Sequence, residues 1–386
     1  MVKFICYLCK IIQKVNFYFG YLYYKYSYRK IDKTGKIHNI SNLIKKQFGD
    51  KDYYLSPVFS TLAYNNSYRI PLFLPNLKTK SIIKNAKYNG GEKIKFYTNS
   101  KDLVLEILYE KKAILNNMNE KAACGIVIIV SFEGKSNKYI LFSNKKNNMR
   151  ITKKINLENE EKRTLVTIYL PSYACINRII FGFQKESYIE KYQYNKKPII
   201  FYGSSITQGC ASEDVSLNYV NIIGDYYDMP ILNYGFSESA KGEESVIQYI
   251  ARKPASIFVI EFDHNASVEE LRSSHLSVYK GIRSIQEDVP LIFISRFSGG
   301  ISISKEEEDE RINIILNTLT YANKKNDNKI AFLCGKNKVK KEEISEYFVD
   351  DRHPNTKGMK LIAMEIEKII SKEGFYDKDC IEKSSI

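Results

Sequence analysis

Nowhere in the 386 residues is there a run of about 18 uninterrupted apolar side chains, so no membrane-spanning helix is expected. No internal period appears either, which sets aside collagen, coiled-coil and solenoid architectures. Cysteine is sparse and irregular, at Cys6, Cys9, Cys124, Cys175, Cys210, Cys334 and Cys380. An odd number without framework spacing argues against a disulfide scaffold and for a reducing, cytoplasmic compartment. Cys6 and Cys9 form a lone CxxC with no second pair and no neighbouring histidine, a weak metal or redox signal. Histidine is scarcer still, with only His38, His264, His275 and His353. No secretory leader is expected, because Lys10 and Lys14 break the N-terminal apolar run and no small-residue cleavage site follows.

What is present is ordinary globular composition, 44% hydrophobic and 27% charged, in a chain long enough for two cores. The formal charge is +15, and it is lopsided. Residues 1–50 hold ten Lys and Arg against Asp32 and Asp50. The same stretch packs Phe17, Tyr18, Phe19, Tyr21, Tyr23, Tyr24, Tyr26 and Tyr28 into a dozen positions. A basic, aromatic segment over 1–45 suits peripheral contact with an anionic membrane surface; a compositional bias with a first helix packed on the body is the plainer alternative. Nucleic acid is not expected as a partner, since the charge is confined mostly to this end and no base-reading motif accompanies it.

Residues 46–195 read as a β-sandwich domain. Short β-rich runs at 93–98, 102–107, 125–131, 138–142, 164–169 and 178–182 are separated by Asn, Gly, Lys and Ser. Ile94 with Phe96, and Leu103 with Leu105, alternate with period two, as in strands with one wet face. No histidine and no glycine-rich phosphate loop lies here, so no chemistry is expected of this segment. From residue 196 to 386 the pattern changes. Apolar runs at 198–202, 231–234, 257–261, 290–294 and 330–334 are continuous, and helical stretches at 216–227, 243–251, 268–286, 306–324 and 357–371 follow them. Such alternation predicts a three-layer α/β/α domain with a parallel sheet buried on both faces. Ligands of these sheets bind beyond the carboxyl ends of the strands.

The strand ends are polar. After the first comes Gly203-Ser204-Ser205-Ile206-Thr207-Gln208-Gly209, after the second Asn233-Tyr234-Gly235-Phe236-Ser237-Glu238. The third ends in Glu261-Phe262-Asp263-His264-Asn265-Ala266 and the fourth in Ser295-Arg296; Asp350-Asp351-Arg352-His353-Pro354-Asn355 precedes the last helix. A serine is a poor nucleophile until a base takes its proton, and the base needs a partner to fix its tautomer. Ser205 follows a strand and a small-residue turn, and a helix start favours developing negative charge. His353 with Asp350 three residues earlier can deliver base and orienter from one loop, with Asp351 the competing acid.

These blocks resemble those of the SGNH/GDSL hydrolases, in the branch with a β-sandwich (jelly-roll-like) domain ahead of a flavodoxin-like hydrolase domain. The stretches EFDHNAS, ISRF and DDRHPNTKG carry the likeness, which is close over 198–372 and one of layout over 60–195. The resemblance implies a serine esterase with Ser205 as nucleophile, His353 as base and Asp350 as orienter. It implies an oxyanion hole made of the N–H groups of Ser205 and residue 238 with the side-chain amide of Asn265. No metal or organic cofactor is called for. The substrate it suggests is a small, acetylated sugar or glycan; lipid or thioester hydrolysis, acyl transfer, or a catalytically weakened glycan-binding role are the alternatives.

One position departs from the pattern. Where the family has a Ser-Gly step, this chain has Ser237-Glu238, and Gly235 falls in the preceding turn as a structural glycine. His264 and Arg296 are pocket candidates, each with a structural alternative: a packed histidine, and an arginine spent on capping or an ion pair. His275 reads as structural.

Overall fold

The computed structural model describes residues 69–70, 74, 79–143, 148–157, 162–184, 187–297 and 303–376, with the backbone of strands at 44–48 and 51–58. Residues 1–43, and with them the aromatic basic segment, Cys6, Cys9 and His38, lie outside the described residues.

Among the described residues, ten strands form the N-terminal part: β1 (Ile44–Phe48), β2 (Lys51–Val58), β3 (Lys93–Thr98), β4 (Asp102–Lys112), β5 (Ile126–Phe132), β6 (Lys135–Leu141), β7 (Arg150–Asn156), β8 (Thr164–Tyr169), β9 (Ala174–Phe183) and β10 (Ile189–Lys191). Two short helices, α1 (Lys80–Ala86) and α2 (Glu120–Cys124), interrupt them. They make two antiparallel sheets, ordered β1-β2-β9-β4-β7 and β10-β3-β8-β5-β6. Inward residues of both share one core. Phe96 of β3 meets Phe181 and Phe183 of β9 edge-on, with centroids 5.7 and 5.8 Å apart. This is the expected sandwich, with one difference. On β4 not only Leu103 and Leu105 but also Val104 and Glu106 are buried. Over residues 102–107 the strand has no wet face, and Glu106 is neutralised by Arg150 of β7 at 2.8 Å.

The second part alternates β11 (Ile199–Gly203), α3 (Ser205–Gln208), α4 (Tyr219–Tyr226), β12 (Ile231–Gly235), α5 (Glu244–Ala251), β13 (Ile257–Glu261), α6 (Val268–Arg283), β14 (Leu291–Ile294), α7 (Lys305–Asn323), β15 (Ile330–Leu333), α8 (Ile344–Tyr347) and α9 (Thr356–Lys372). The five strands are parallel, in the order β12-β11-β13-β14-β15. Each strand feeds two cores in alternation. Ile200, Tyr202, Phe258 and Ile260 face α5, α6 and α7, whereas Ile199, Phe201, Ile257 and Val259 face α4 and α9. That is why these runs are continuously apolar. Each such side chain contributes about 1.5–3 kcal/mol of burial, and truncating Phe258 to alanine would cost about 3–5 kcal/mol. Because β12 and β13 lie on opposite sides of β11, the strand order reverses there. The loops after β11 and β13 therefore diverge and leave a crevice at the carboxyl edge.

The two parts are sewn together. Lys93 and Lys95 pair with Asp225 and Asp228 at 2.7 and 2.8 Å, and Lys138 pairs with Asp214 at 2.6 Å. Ile70, Ile82 and Ala86 pack into the hydrolase-side core beside α5. Among the described residues no helix is long and apolar enough to cross a membrane.

Candidate active site

Gly203 closes β11 where only a glycine fits: a Cβ would stand 2.2 Å from Thr207 Oγ1 and 2.3 Å from the Glu261 carbonyl. Ser204 then caps α3, its Oγ accepting from the Ile206 N–H at 3.1 Å and donating to Glu261 Oε2 at 2.7 Å. The capping role thus falls to Ser204, and the hydroxyl of Ser205 is left for other work. Ser205 Oγ lies 3.0 Å from His353 Nε2.

His353 comes from the loop between α8 and α9. Asp350 Oδ1 accepts the N–H groups of Arg352 and His353 at 2.9 and 2.6 Å, which folds the loop. Its Oδ2 takes the ring Nδ1–H at 2.8 Å. One carboxylate therefore shapes the turn and fixes the tautomer, leaving Nε2 to face Ser205. Burial would raise the Asp350 pKa, but the hydrogen bonds from His353 and the two N–H groups outweigh it and hold the carboxylate below its usual range. Asp351 is exposed and makes none of these contacts.

Asn265 follows β13, just before the capping box of Ser267 and Glu270 that starts α6. Its Nδ2 donates one hydrogen to the Phe236 carbonyl at 3.0 Å, and the other has no acceptor among the described residues. Glu238, after β12, is exposed and holds the left-handed conformation, φ +59°. The chain thus holds a glutamate in a backbone shape that glycine would tolerate at no steric cost. Among the described residues no protein acceptor takes the N–H of Ser205 or of Glu238. Gly235 is structural: a Cβ there would meet the Gln208 backbone N at 2.3 Å.

The other candidates are buried. Arg296 is turned inward: Nη2 donates to the Asp263 carbonyl at 3.2 Å and Nε stands 3.8 Å from the Asp263 carboxylate, which Arg311 also meets at 3.0 Å. This is the ion-pair alternative for Arg296. His264 sits beside Asn265, and burial first, then the charges of Arg296, His353, Arg352 and Arg311, push its pKa well below the usual range. It is neutral, and its Nδ1 is buried with no partner among the described residues. His275 packs between Phe262 and Phe293 with Nδ1 2.8 Å from Thr318 Oγ1; burial pushes its pKa down to about 3.

Several residues at the site carry no signal in the sequence. Glu261 is buried beneath α3, accepting from the Oγ of Ser204 and from Thr207 Oγ1 at 2.8 Å, and burial pushes its pKa up to about 7. Its polar position at the end of an apolar run was the only available cue. The N-terminal sandwich, from which no chemistry was expected, also reaches the site. Asn117 Nδ2 lies 3.3 Å from both His353 Nδ1 and Cys210 Sγ. Tyr173 OH donates to the Ser205 carbonyl at 3.3 Å and shares a hydrogen bond with Ser237 Oγ at 2.7 Å. Nothing in local spacing announces a loop that acts on another domain. Among the described residues no group of three or more His, Cys, Asp and Glu could hold a metal ion. A surface cavity lined by Tyr279, Arg283, Tyr321 and Asp327 opens before β14 and β15, at the opposite edge of the sheet from Ser205.

A reversed-order parallel sheet behind a β-sandwich, with a serine, a histidine and an acid brought together at its carboxyl edge, is a three-layer α/β/α domain with a candidate site at its switch point. The sequence model of the GDSL-like lipase/acylhydrolase family matches residues 196–371, and that of the N-terminal domain of SGNH hydrolase-type esterases matches 58–189. The chain belongs to the SGNH/GDSL hydrolases, in the branch with that N-terminal domain. A GDSL-like lipase structure from Bacteroides ovatus is 20% identical, with TM-score 0.71, over 83% of this chain and 98% of that one. The salicylyl-acyltransferase of a tetracycline biosynthetic pathway is 14% identical, with TM-score 0.64, over 80% and 90%. A family two carbohydrate esterase from Clostridium thermocellum, solved with cellohexaose, is 12% identical, with TM-score 0.51, over 74% and 94%. At these identities the likeness is one of fold. No functionally curated protein matches the sequence.

Proposed function

We propose that the protein is a serine esterase that hydrolyses small acyl esters, acetyl foremost, of a sugar or glycan. The observation that carries the chemistry is the line from Asp350 Oδ2 through the His353 ring to Ser205 Oγ, with links of 2.8 and 3.0 Å. His353 Nε2 takes the Ser205 proton as Oγ bonds to the ester carbonyl carbon. The tetrahedral oxyanion is received by the N–H groups of Ser205 and Glu238 and the second hydrogen of Asn265 Nδ2. Collapse expels the alcohol, which takes its proton from His353, and leaves an acyl-Ser205. Water, deprotonated by His353, then attacks the acyl carbon and regenerates the serine. Asp350 holds the imidazole and favours its charged form while the proton is there. No step calls for a metal or an organic cofactor.

The choice of a carbohydrate rests on the fold shared with the cellohexaose-bound esterase. A second reading, transfer of the acyl group to an acceptor hydroxyl in place of water, is favoured by the salicylyl-acyltransferase with the same fold. Nitrophenyl esters of rising chain length, O-acetylated sugars, and the same esters with a free sugar added separate these readings. Release of acetate from the sugar supports the first, and acyl-sugar formation the second. No turnover of any ester, with a glycan still bound, would point instead to a glycan-binding homologue.

A further inference from the structure

Ser237, the residue before the left-handed Glu238, has every polar group engaged. Its N–H donates to Gln208 Oε1 at 2.9 Å. Its carbonyl accepts from Asn85 Nδ2 and Ser239 Oγ, both at 2.8 Å. Its Oγ meets Tyr173 OH at 2.7 Å. Two of these partners, Asn85 and Tyr173, come from the N-terminal part, and Gln208 is itself held by the Ser172 carbonyl at 3.3 Å.

Such anchoring has a purpose. The peptide joining Ser237 to Glu238 carries the N–H assigned above to the oxyanion, and its direction depends on Glu238 staying at φ +59°. A residue with a Cβ is sterically penalised there. Left alone, the turn would relax and swing the N–H away from the crevice. Fixing the carbonyl and side chain of Ser237 removes that freedom.

We infer that the β-sandwich is a working part of the hydrolase site: Tyr173 and Asn85 are positioning residues that hold the 237–238 peptide in its oxyanion-binding orientation. This rests on the reading of Ser205 as nucleophile. Tyr173 suits the task, since burial first of all pushes its pKa well above 10 and keeps the hydroxyl protonated. Its OH also donates to the Ser205 carbonyl at 3.3 Å, so one phenol contacts both Ser205 and the residue before Glu238.

The test uses the full chain, 4-nitrophenyl acetate as substrate and phenylboronic acid as a probe whose adduct with Ser205 is tetrahedral. Loss of one oxyanion donor typically costs about 10²–10³ in turnover. A displaced donor should cost less, so Tyr173→Phe is expected to lower kcat about 10- to 100-fold with KM within twofold, and to weaken phenylboronic acid similarly. Asn85→Ala should behave alike. Ser237→Ala removes the same link as Tyr173→Phe, so the double variant should lose little beyond either single. Lys95→Ala, which cuts an interdomain ion pair away from the loop, controls for mere loosening and should leave kcat unchanged. An unchanged kcat for Tyr173→Phe overturns the inference if Ser205→Ala is dead. An equal loss in Lys95→Ala overturns it too. Survival of activity in Ser205→Ala instead overturns the underlying assignment.

Discussion

Glu238→Gly is the substitution that asks most of this reading. Glu238 is exposed and left-handed, so glycine can take its place without moving the backbone. Releasing a Cβ-bearing residue from that region recovers about 1–2 kcal/mol. The added freedom of the unfolded chain takes back about 0.4–1 kcal/mol. The net is a gain of between zero and about 1.6 kcal/mol, a rise of no more than about two degrees in the unfolding midpoint. Catalysis should change through charge. A carboxylate at the rim opposes the developing oxyanion, and an exposed charge acting at a few ångströms in a water-like medium is worth about 1 kcal/mol at most. Turnover of 4-nitrophenyl acetate should therefore rise, by no more than about fivefold. The gain should shrink in 1 M salt, where screening acts over about 3 Å. Being exposed, the same carboxylate is free to accept hydrogen bonds from the hydroxyls of the proposed sugar substrate, so KM for an acetylated oligosaccharide should increase. If small-ester turnover stays the same or falls, position 238 is not an impaired oxyanion donor and the assignment of that N–H is wrong.

Three further outcomes are expected. Ser205→Ala and His353→Ala should each abolish ester turnover with the circular dichroism spectrum unchanged; the double variant should be no worse than either, and additive losses would refute a single catalytic unit. Glu261, pushed up to about 7 by burial, binds its proton more tightly folded than unfolded, so its ionisation subtracts stability as pH climbs from about 4.5 to about 7. Urea unfolding should show the protein losing on the order of 2–3 kcal/mol from this group between pH 5 and 8, and Glu261→Gln should flatten that slope. If residues 1–45 form a membrane-surface contact, deleting them should release the protein from anionic liposomes without altering turnover of a soluble ester; equal binding by both forms would refute a membrane role for the segment.

Much of this molecule was legible in its sequence. The five apolar runs became the parallel sheet because burial on both faces leaves little room for polar side chains; Ser205 and Asn265 stood just past the ends of two of those runs, and Asp350 and His353 just before the last helix. The pairing of Asp350 with His353 is local, three residues apart in one turn, and needs no distant partner to be read. Glu238 announced itself as an exception because a glycine position holds a Cβ. Other features were decided only by tertiary structure. Whether Ser204 or Ser205 caps α3 depends on Glu261, which lies more than 50 residues away and receives the Ser204 hydroxyl. Whether Arg296 faces a ligand or an acid depends on Asp263 and Arg311 meeting beneath it. Tyr173, Asn85 and Asn117 reach the site because one domain is docked on the other, and docking brings together side chains that share no spacing and no period along the chain. A hydrogen bond across such an interface leaves no trace in local pattern, because pattern records which face of an element is buried and not what it is buried against.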